Sequence, residues 1–249
     1  MPYGTDVLTA PQLELTRVSS HDVPARDLAS FVPASRADVH LLVEAHVGVR
    51  GETGSEVFTF LVATPEALRA RDTHGTVLAS DCVLLVSDYD WTIVHAWLRS
   101  TLAECIGLDG DGSFDALRRH LRWEREGQSG SQREEATRLV CHAIDATPHP
   151  RAFAPDTYEE IDLELRVVVG DENLPERLEL SLAVCSPEAL RTRLHGQDFL
   201  HGGVLVVSDY RWRAIERWVH DTVARCEAPR WRAAARNLER YFGNVSSLT

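Results

Sequence analysis

Cys82-Val83-Leu84-Leu85-Val86-Ser87-Asp88-Tyr89-Asp90-Trp91 occurs twice in this chain. It returns 121 positions later as Gly203-Val204-Leu205-Val206-Val207-Ser208-Asp209-Tyr210-Arg211-Trp212. Each copy is a short apolar run, then Ser-Asp-Tyr-x-Trp, then a long amphipathic segment. A Val-rich run of this length between polar residues reads as a buried strand. Ser87-Asp88 and Ser208-Asp209 carry side-chain oxygens suited to capping a helix. The repeated unit is therefore a strand that feeds a helix.

Outward from this stretch the echo continues. Phe31-Val32-Pro33 answers Phe153-Ala154-Pro155, Val47-Gly48 answers Val169-Gly170, and Pro65-Glu66-Ala67-Leu68-Arg69 answers Pro187-Glu188-Ala189-Leu190-Arg191. His74-Gly75 pairs with His195-Gly196, Trp97 with Trp218 and Cys105 with Cys226. The offset drifts by only one residue over all of these, which marks a tandem duplication. Glu124 to Glu135 is polar and lacks apolar periodicity, as a junction should. This places a first domain at 1–126, a linker at 127–136 and a second domain at 137–249.

Within the first copy Leu13 to Val18 alternates weakly, and His21 to Ser35 is a loop. Val39, Leu41, Val43, Ala45, Val47 and Val49 share one face of a period-two pattern, which predicts a half-buried strand. Arg50 to Gly54 turns the chain into a partner strand over Val57 to Val62. Thr64-Pro65 starts a short helix with Thr64 as its cap. Trp91 to Ile106 is a long helix, and Ser113 to Trp123 predicts a closing one. The second copy runs the same course through Ile161 to Val169, Leu178 to Val184, a helix from Trp212 and a closing helix over Trp231 to Phe242. Hairpins first and helices last predict an α+β fold: two similar tandem domains, each an antiparallel sheet with helices on one face.

The composition narrows the function. The net charge is −12, from 38 acidic and 26 basic residues, and every basic residue is arginine. Such a balance argues against direct nucleic-acid binding, which needs a basic footprint. No apolar stretch is long enough to span a bilayer, and the N-terminus lacks the pattern of a secretory signal. Five scattered cysteines read as buried thiols of a reducing cytoplasm. The charge is uneven: residues 152–188 hold ten acids against two arginines, whereas residues 211–240 hold eight arginines against four acids.

Catalytic signatures are missing. The chain has no phosphate-binding glycine loop, His-Glu-x-x-His, Cys-x-x-Cys or Gly-x-Ser-x-Gly. His195, His201 and Asp198 can be drawn as a metal cluster, but histidines in a glycine-flanked loop are more simply solvated. Helix starts account for Ser87-Asp88 and Ser208-Asp209 better than a nucleophile does. Trp91, Trp97, Trp212 and Trp218 read as core groups of the long helices. No enzyme activity, cofactor or metal is expected.

With these residues placed, the chain resembles immunity protein family 8 of bacterial polymorphic toxin systems, in two tandem copies. The first copy carries Phe31-Val32-Pro33, Val47-Gly48-Val49-Arg50-Gly51, Glu56-Val57-Phe58, Thr64-Pro65-Glu66-Ala67-Leu68, Leu84-Leu85-Val86-Ser87-Asp88-Tyr89-Asp90 and Trp123-Glu124. The second keeps Phe153, Pro155, Gly170, Pro187, Leu190 and Val206-Val207-Ser208-Asp209-Tyr210. There Asp171-Glu172-Asn173 replaces the glycine turn, and Tyr241-Phe242 stands where Trp-Glu is expected. The resemblance implies a cytoplasmic antitoxin, monomeric or homodimeric, that binds a cognate toxin domain and occludes its active site or substrate path. Net acidity suits a basic toxin such as a nuclease. The contact residues expected are Glu159, Glu160, Asp162, Glu164, Asp171 and Glu172, with the helix-start residues Asp88, Asp90 and Asp209. A second reading is a small-molecule-binding or regulatory module with its site in a cleft between the repeats.

Overall fold

A computed structural model describes residues 12–71, 77–79, 81–107, 110–124, 137–155 and 161–248. The linker expected at 127–136 and His74 lie outside these residues. The fold is α+β; among the described residues nine strands and α-helices of one half answer nine of the other, and the first half adds a single 3-10 turn over Pro24–Arg26. In the first half they are β1 (Leu13–Ser20), β2 (His40–Val49), β3 (Glu56–Ala63), α1 (Pro65–Ala70), β4 (Val77–Ala79), β5 (Val83–Leu85), α2 (Trp91–Glu104), α3 (Gly110–Leu117) and β6 (Arg122–Trp123). The second half repeats them as β7 (Leu139–Asp145), β8 (Asp162–Asp171), β9 (Arg177–Cys185), α4 (Pro187–Leu194), β10 (Leu200–His201), β11 (Val204–Val207), α5 (Trp212–Arg225), α6 (Trp231–Glu239) and β12 (Gly243–Leu248).

The period-two strands bury the faces expected of them. Val39, Leu41, Val43, Ala45, Val47 and Val49 enter a first core with Phe58, Phe60, Leu98 and Leu117. Leu163, Leu165, Val167 and Val169 enter a second with Leu180, Ile215, Val219 and Leu238. The hairpins β2–β3 and β8–β9 are antiparallel, and each sheet then adds one parallel pair, β3–β5 and β9–β11. The parallel pairs arise because a short helix, α1 or α4, carries the chain back before the next strand starts.

Turn chemistry differs between the copies. In the first hairpin Gly51 and Gly54 take positive φ angles of 85° and 108°, which residues with a Cβ avoid. In the second, the Asp171 carboxylate accepts from the Asn173 backbone N–H at 2.6 Å and closes the turn without glycine.

Several local expectations are corrected. The closing helices are shorter: α3 stops at Leu117 and α6 at Glu239, and the chain then adds β6 to β3 and β12 to β9. Thr64 does not cap α1; its hydroxyl is buried against the Val39 backbone. Ser186 does cap α4, through the Ala189 N–H at 3.2 Å. The caps placed on Ser87-Asp88 and Ser208-Asp209 fall two residues early. Asp90 caps α2, and α5 starts after Arg211 with no side-chain cap. Trp97 is buried, but Trp91, Trp212 and Trp218 are only half-buried. All five cysteines are free thiols and all but Cys141 are buried. Among the described residues no helix is long and apolar enough to cross a membrane.

The halves are joined by an exchange of strands. One sheet runs β1-β2-β3-β5-β10 and the other β7-β8-β9-β11-β4, so each ends on a strand from the other half. The exchange is symmetric to the residue: Leu200 faces Leu85, and Ala79, the counterpart of Leu200, faces Val206, the counterpart of Leu85. Beneath it Ala63, Leu68, Val83 and Leu85 pack with Cys185, Ala189, Leu190, Leu194 and Val206 in a third core drawn from both halves. Two ion pairs repeat the symmetry, Arg69 to Glu188 at 2.9 Å and Arg191 to Glu66 at 3.3 Å.

Polar groups close the same seam. Asp81 accepts from Arg122 of its own half at 2.9 Å and from Arg240 of the other at 3.0 Å. Burial alone would raise the Asp81 carboxyl, yet Arg240 and Arg122 beside it hold it below its ordinary value. His201 donates from Nδ1 to the Val83 carbonyl at 3.0 Å, so its Nε2 is the acceptor for Nδ1 of His120, 3.4 Å away. Burial, helped by His120, pushes the His201 imidazole down to about 4.

Two predictions follow from this seam. Leu190→Ala, in the shared core, should cost about 2–4 kcal/mol. It should lower the urea midpoint of both halves together in one transition; separate transitions for the halves would contradict the interlock. The second concerns acid. Unfolded His201 gains its proton near 6.5, whereas the folded residue stays neutral to about 4. The unfolded state thus binds more protons in that window, and stability falls as pH drops through it. The slope is at most about 1.4 kcal/mol per pH unit for this one proton. Urea midpoints measured from pH 7 to 4 should show the loss, and His201→Gln should flatten it.

Candidate functional site

The alternation that builds the cores also builds one two-part outer surface. In β3, Phe58, Phe60 and Val62 enter the first core, while Leu61 and Ala63 face the side where α1 lies. The register sets His40 opposite Ala63 and Leu42 opposite Leu61, so both project beside α1. In the second sheet Asp162 lies opposite Cys185 and Glu164 opposite Ala183, which directs both carboxylates to the α4 side. Because α1 and α4 pack on each other through the shared core, the two outer sheet faces flank them as wings.

The wings differ in chemistry. On the second, Asp162 and Glu164 share Arg193 of α4. Its Nε and Nη2 donate to Asp162 at 2.7 and 2.6 Å, and Nη2 reaches Glu164 at 3.4 Å. Arg166 pairs with Glu179 on β9, and Asp145 of β7 lies opposite Arg166. Four carboxylates thus stand around two guanidiniums, and the wing is acidic.

On the first wing His40, Leu42, Glu44 and His46 occupy the positions of Asp162, Glu164, Arg166 and Val168. Leu42 is 51% exposed and Val32 is 85% exposed. With Phe31 and His40 they line a groove of about 630 Å³. Glu44 is engaged by His21 at 3.0 Å and by the Ser19 hydroxyl at 3.4 Å. Burial and the nearby Arg71 lower the His40 imidazole, which keeps it uncharged at neutral pH. Exposed apolar groups ringed by polar ones are the usual make-up of a protein-binding surface.

The acids expected from sequence do not form one cluster. Glu159 and Glu160 lie outside the described residues. Asp162 and Glu164 sit together at the start of β8. Asp171 and Glu172 stand at its far end, roughly 30 Å away at the rise of a strand. Asp171 is buried and serves its turn, and Glu172 pairs with Arg138 at 3.2 Å. Asp88 is exposed in the bend before α2. Asp90 accepts from the Thr92 N–H at 2.9 Å and from Arg36 at 2.8 Å, and the Thr92 hydroxyl and N–H, then Arg36, hold its carboxyl below the ordinary range. Asp209 is held by Arg211 at 2.7 Å.

Sequence reasoning did not single out Asp145 and the outward role of Glu179. The alternation of Leu178 to Val184 carried the signal for Glu179, and Asp145 needed β7, whose apolar pattern is weak. Among the described residues no group of three His, Cys, Asp or Glu side chains could hold a metal ion. His195 and Asp198 are exposed, while His201 turns into the seam.

Comparison with known families gives one result. The model of immunity protein 8 matches residues 14–127 and again 139–243. The chain belongs to this family, as two tandem copies, and it is an immunity protein. No curated protein and no solved structure matches it.

Asp90 and Asp209 stand at different positions of the repeated motif, Asp90 answering Arg211 and Asp209 answering Asp88, and they have different jobs. Asp90→Ala removes a cap and should cost about 0.5–2 kcal/mol of stability. Asp209→Ala removes only an exposed pair with Arg211 and should cost less than about 0.5 kcal/mol. Urea midpoints of the two variants check this, and equal losses would contradict the capping assignment.

Proposed function

We propose that this protein neutralises a cognate bacterial toxin in the cytoplasm by binding it, with no chemistry of its own. The reading rests above all on the family match, which runs through both copies. The surface fits it: the exposed Leu42 and Val32 in a groove of mixed lining on one wing supply anchoring contacts, and an acidic wing supplies charge recognition. The acidity favours a basic toxin domain, such as a nuclease whose phosphate-binding groups the carboxylates would engage. A bound protein of ordinary interface size covers roughly 800 Å² on each partner, enough to occlude an active site or its approach.

Within this reading the contacts are Asp162, Glu164, Asp145 and Glu179 on the acidic wing, and Leu42 and Val32 on the apolar one. Glu172 and Asp88 are exposed enough to form a rim. Asp171 and Asp90 serve the fold.

Growth rescue is the direct test. The toxin encoded beside this gene, induced in a host, should arrest growth, and co-expression of this chain should restore it with a complex that survives gel filtration. Asp162→Lys with Glu164→Lys should then weaken toxin binding by at least tenfold, and Leu42→Asp by a similar factor. Full affinity in both variants would remove this surface from the interface. Failure of rescue and of complex formation with that toxin would reject the pairing itself.

A further inference from the structure

We propose that the cleft between α3 and α6 binds a small phosphate-bearing anion. Five arginines line it: Arg118 and Arg119 from the first half, and Arg225, Arg236 and Arg240 from the second, with Tyr241 beside them. Asp115 is the one acid of the lining. The convergence stands out in a chain whose net charge is −12.

Three of the five have carboxylates. Arg118 pairs with Asp115 at 3.0 Å, Arg119 with Glu239 at 3.1 Å and Arg240 with Asp81 at 3.0 Å. Arg225 turns instead to the Thr222 hydroxyl at 2.9 Å, and Arg236 to the Arg232 carbonyl at 3.3 Å. Neither has a carboxylate partner among the described residues. Nε of Arg118 and Nε of Arg119 are shut off from solvent, and the Arg118 guanidinium stacks on the Trp123 ring at 3.9 Å, so Arg225 and Arg236 are the open cations of the lining. Cations are favoured at helix C-termini, which accounts for arginines near the ends of α3, α5 and α6. That preference does not require them to meet around one cavity.

The chemistry points to phosphate. Guanidinium N–H forks match phosphate oxygens in pairs, and several such groups satisfy more than one negative charge. The cleft measures about 250 Å³, near the lower end for small-ligand sites and too small for a stretch of polypeptide. Arg225 and Arg240 flank the Tyr241 ring at 5.6 and 5.7 Å, so the aromatic face is already bordered by cations. Both halves contribute, so a bound anion would clamp the seam and stabilise the whole chain by mass action.

The test uses the full chain. Isothermal titration with pyrophosphate should show saturable binding at one site, and the melting temperature should rise at matched ionic strength. Arg225→Ala with Arg236→Ala should weaken binding at least tenfold while far-UV circular dichroism stays unchanged. Should the double variant unfold, Arg236→Gln alone carries the test, with a several-fold loss expected. Tighter binding of ADP than of pyrophosphate would name a nucleotide as the ligand, and equal binding would name the phosphate groups alone. Absence of saturable binding at about millimolar pyrophosphate, affinity unmoved by the variants, or citrate bound as tightly would each overturn the proposal. Growth rescue by this chain is a separate readout and does not depend on the outcome.

Discussion

Each sheet of this protein ends on a strand that the other half supplies. The reason lies in the parallel pairing of β3 with β5 and of β9 with β11, which leaves one side of β5 and β11 without partners. An open edge of this kind invites aggregation. β10 and β4 cover these edges from across the seam. Everything near the boundary follows: α1 meets α4 over a shared apolar core, Asp81 collects arginines from both halves, and His201 is held neutral against Val83. The exposed pairs Arg69–Glu188 and Arg191–Glu66 add little energy at their accessibility and mainly fix orientation. The buried Asp81–Arg240 pair matters more, since losing either partner strands a charge in a poorly solvated site.

The charges of the chain are sorted by this architecture. Arg225, Arg236 and Arg240 of the C-terminal run meet Arg118 and Arg119 where α3, α5 and α6 approach one another, at the ends of helices and beside the seam. Carboxylates of the second copy stand on the outer face of β8 and its neighbours. Asp162, Glu164 and Glu179 thus face outward on the second sheet, while three of the eight arginines of the C-terminal run converge on a cleft between the halves. Arg211, Arg213, Arg217, Arg230 and Arg232 stay exposed outside it. A net charge taken over the whole sequence conceals both.

Much of the fold was legible because its signals are local and repeated. Alternation over Val39 to Val49 and Ile161 to Val169 identified the central strands and their buried faces, and Pro65 and Pro187 marked short helices. The closing strands β6 and β12 were not legible, since Arg122-Trp123 and Gly243 to Leu248 gain their structure from pairing with β3 and β9, not from their own pattern. The exchange was hidden for the same reason: Val77 to Ala79 and Leu200-His201 are too short to declare a partner. Of the site, the Asp162 and Glu164 pair could be read from its strand phase. Asp171 could not be distinguished from its neighbours until its turn was seen, and Asp145 required a tertiary neighbour to give it meaning.

Two identical subunits related by a twofold axis must show every surface substitution twice. Here the same arrangement is written in a single chain, so that rule is lifted. The positions filled by Asp162 and Glu164 on one side hold His40 and Leu42 on the other, although the backbone register around them is shared. Symmetry is retained in the strand exchange and the shared core, and broken in the polar groups of the seam, where Asp81 and His201 answer Gly202 and Ser80, and on the outer faces that meet solvent. Covalent fusion thus frees one outer face to be rewritten without disturbing its twin, and a molecule built by duplication can meet an asymmetric partner with two unlike hands.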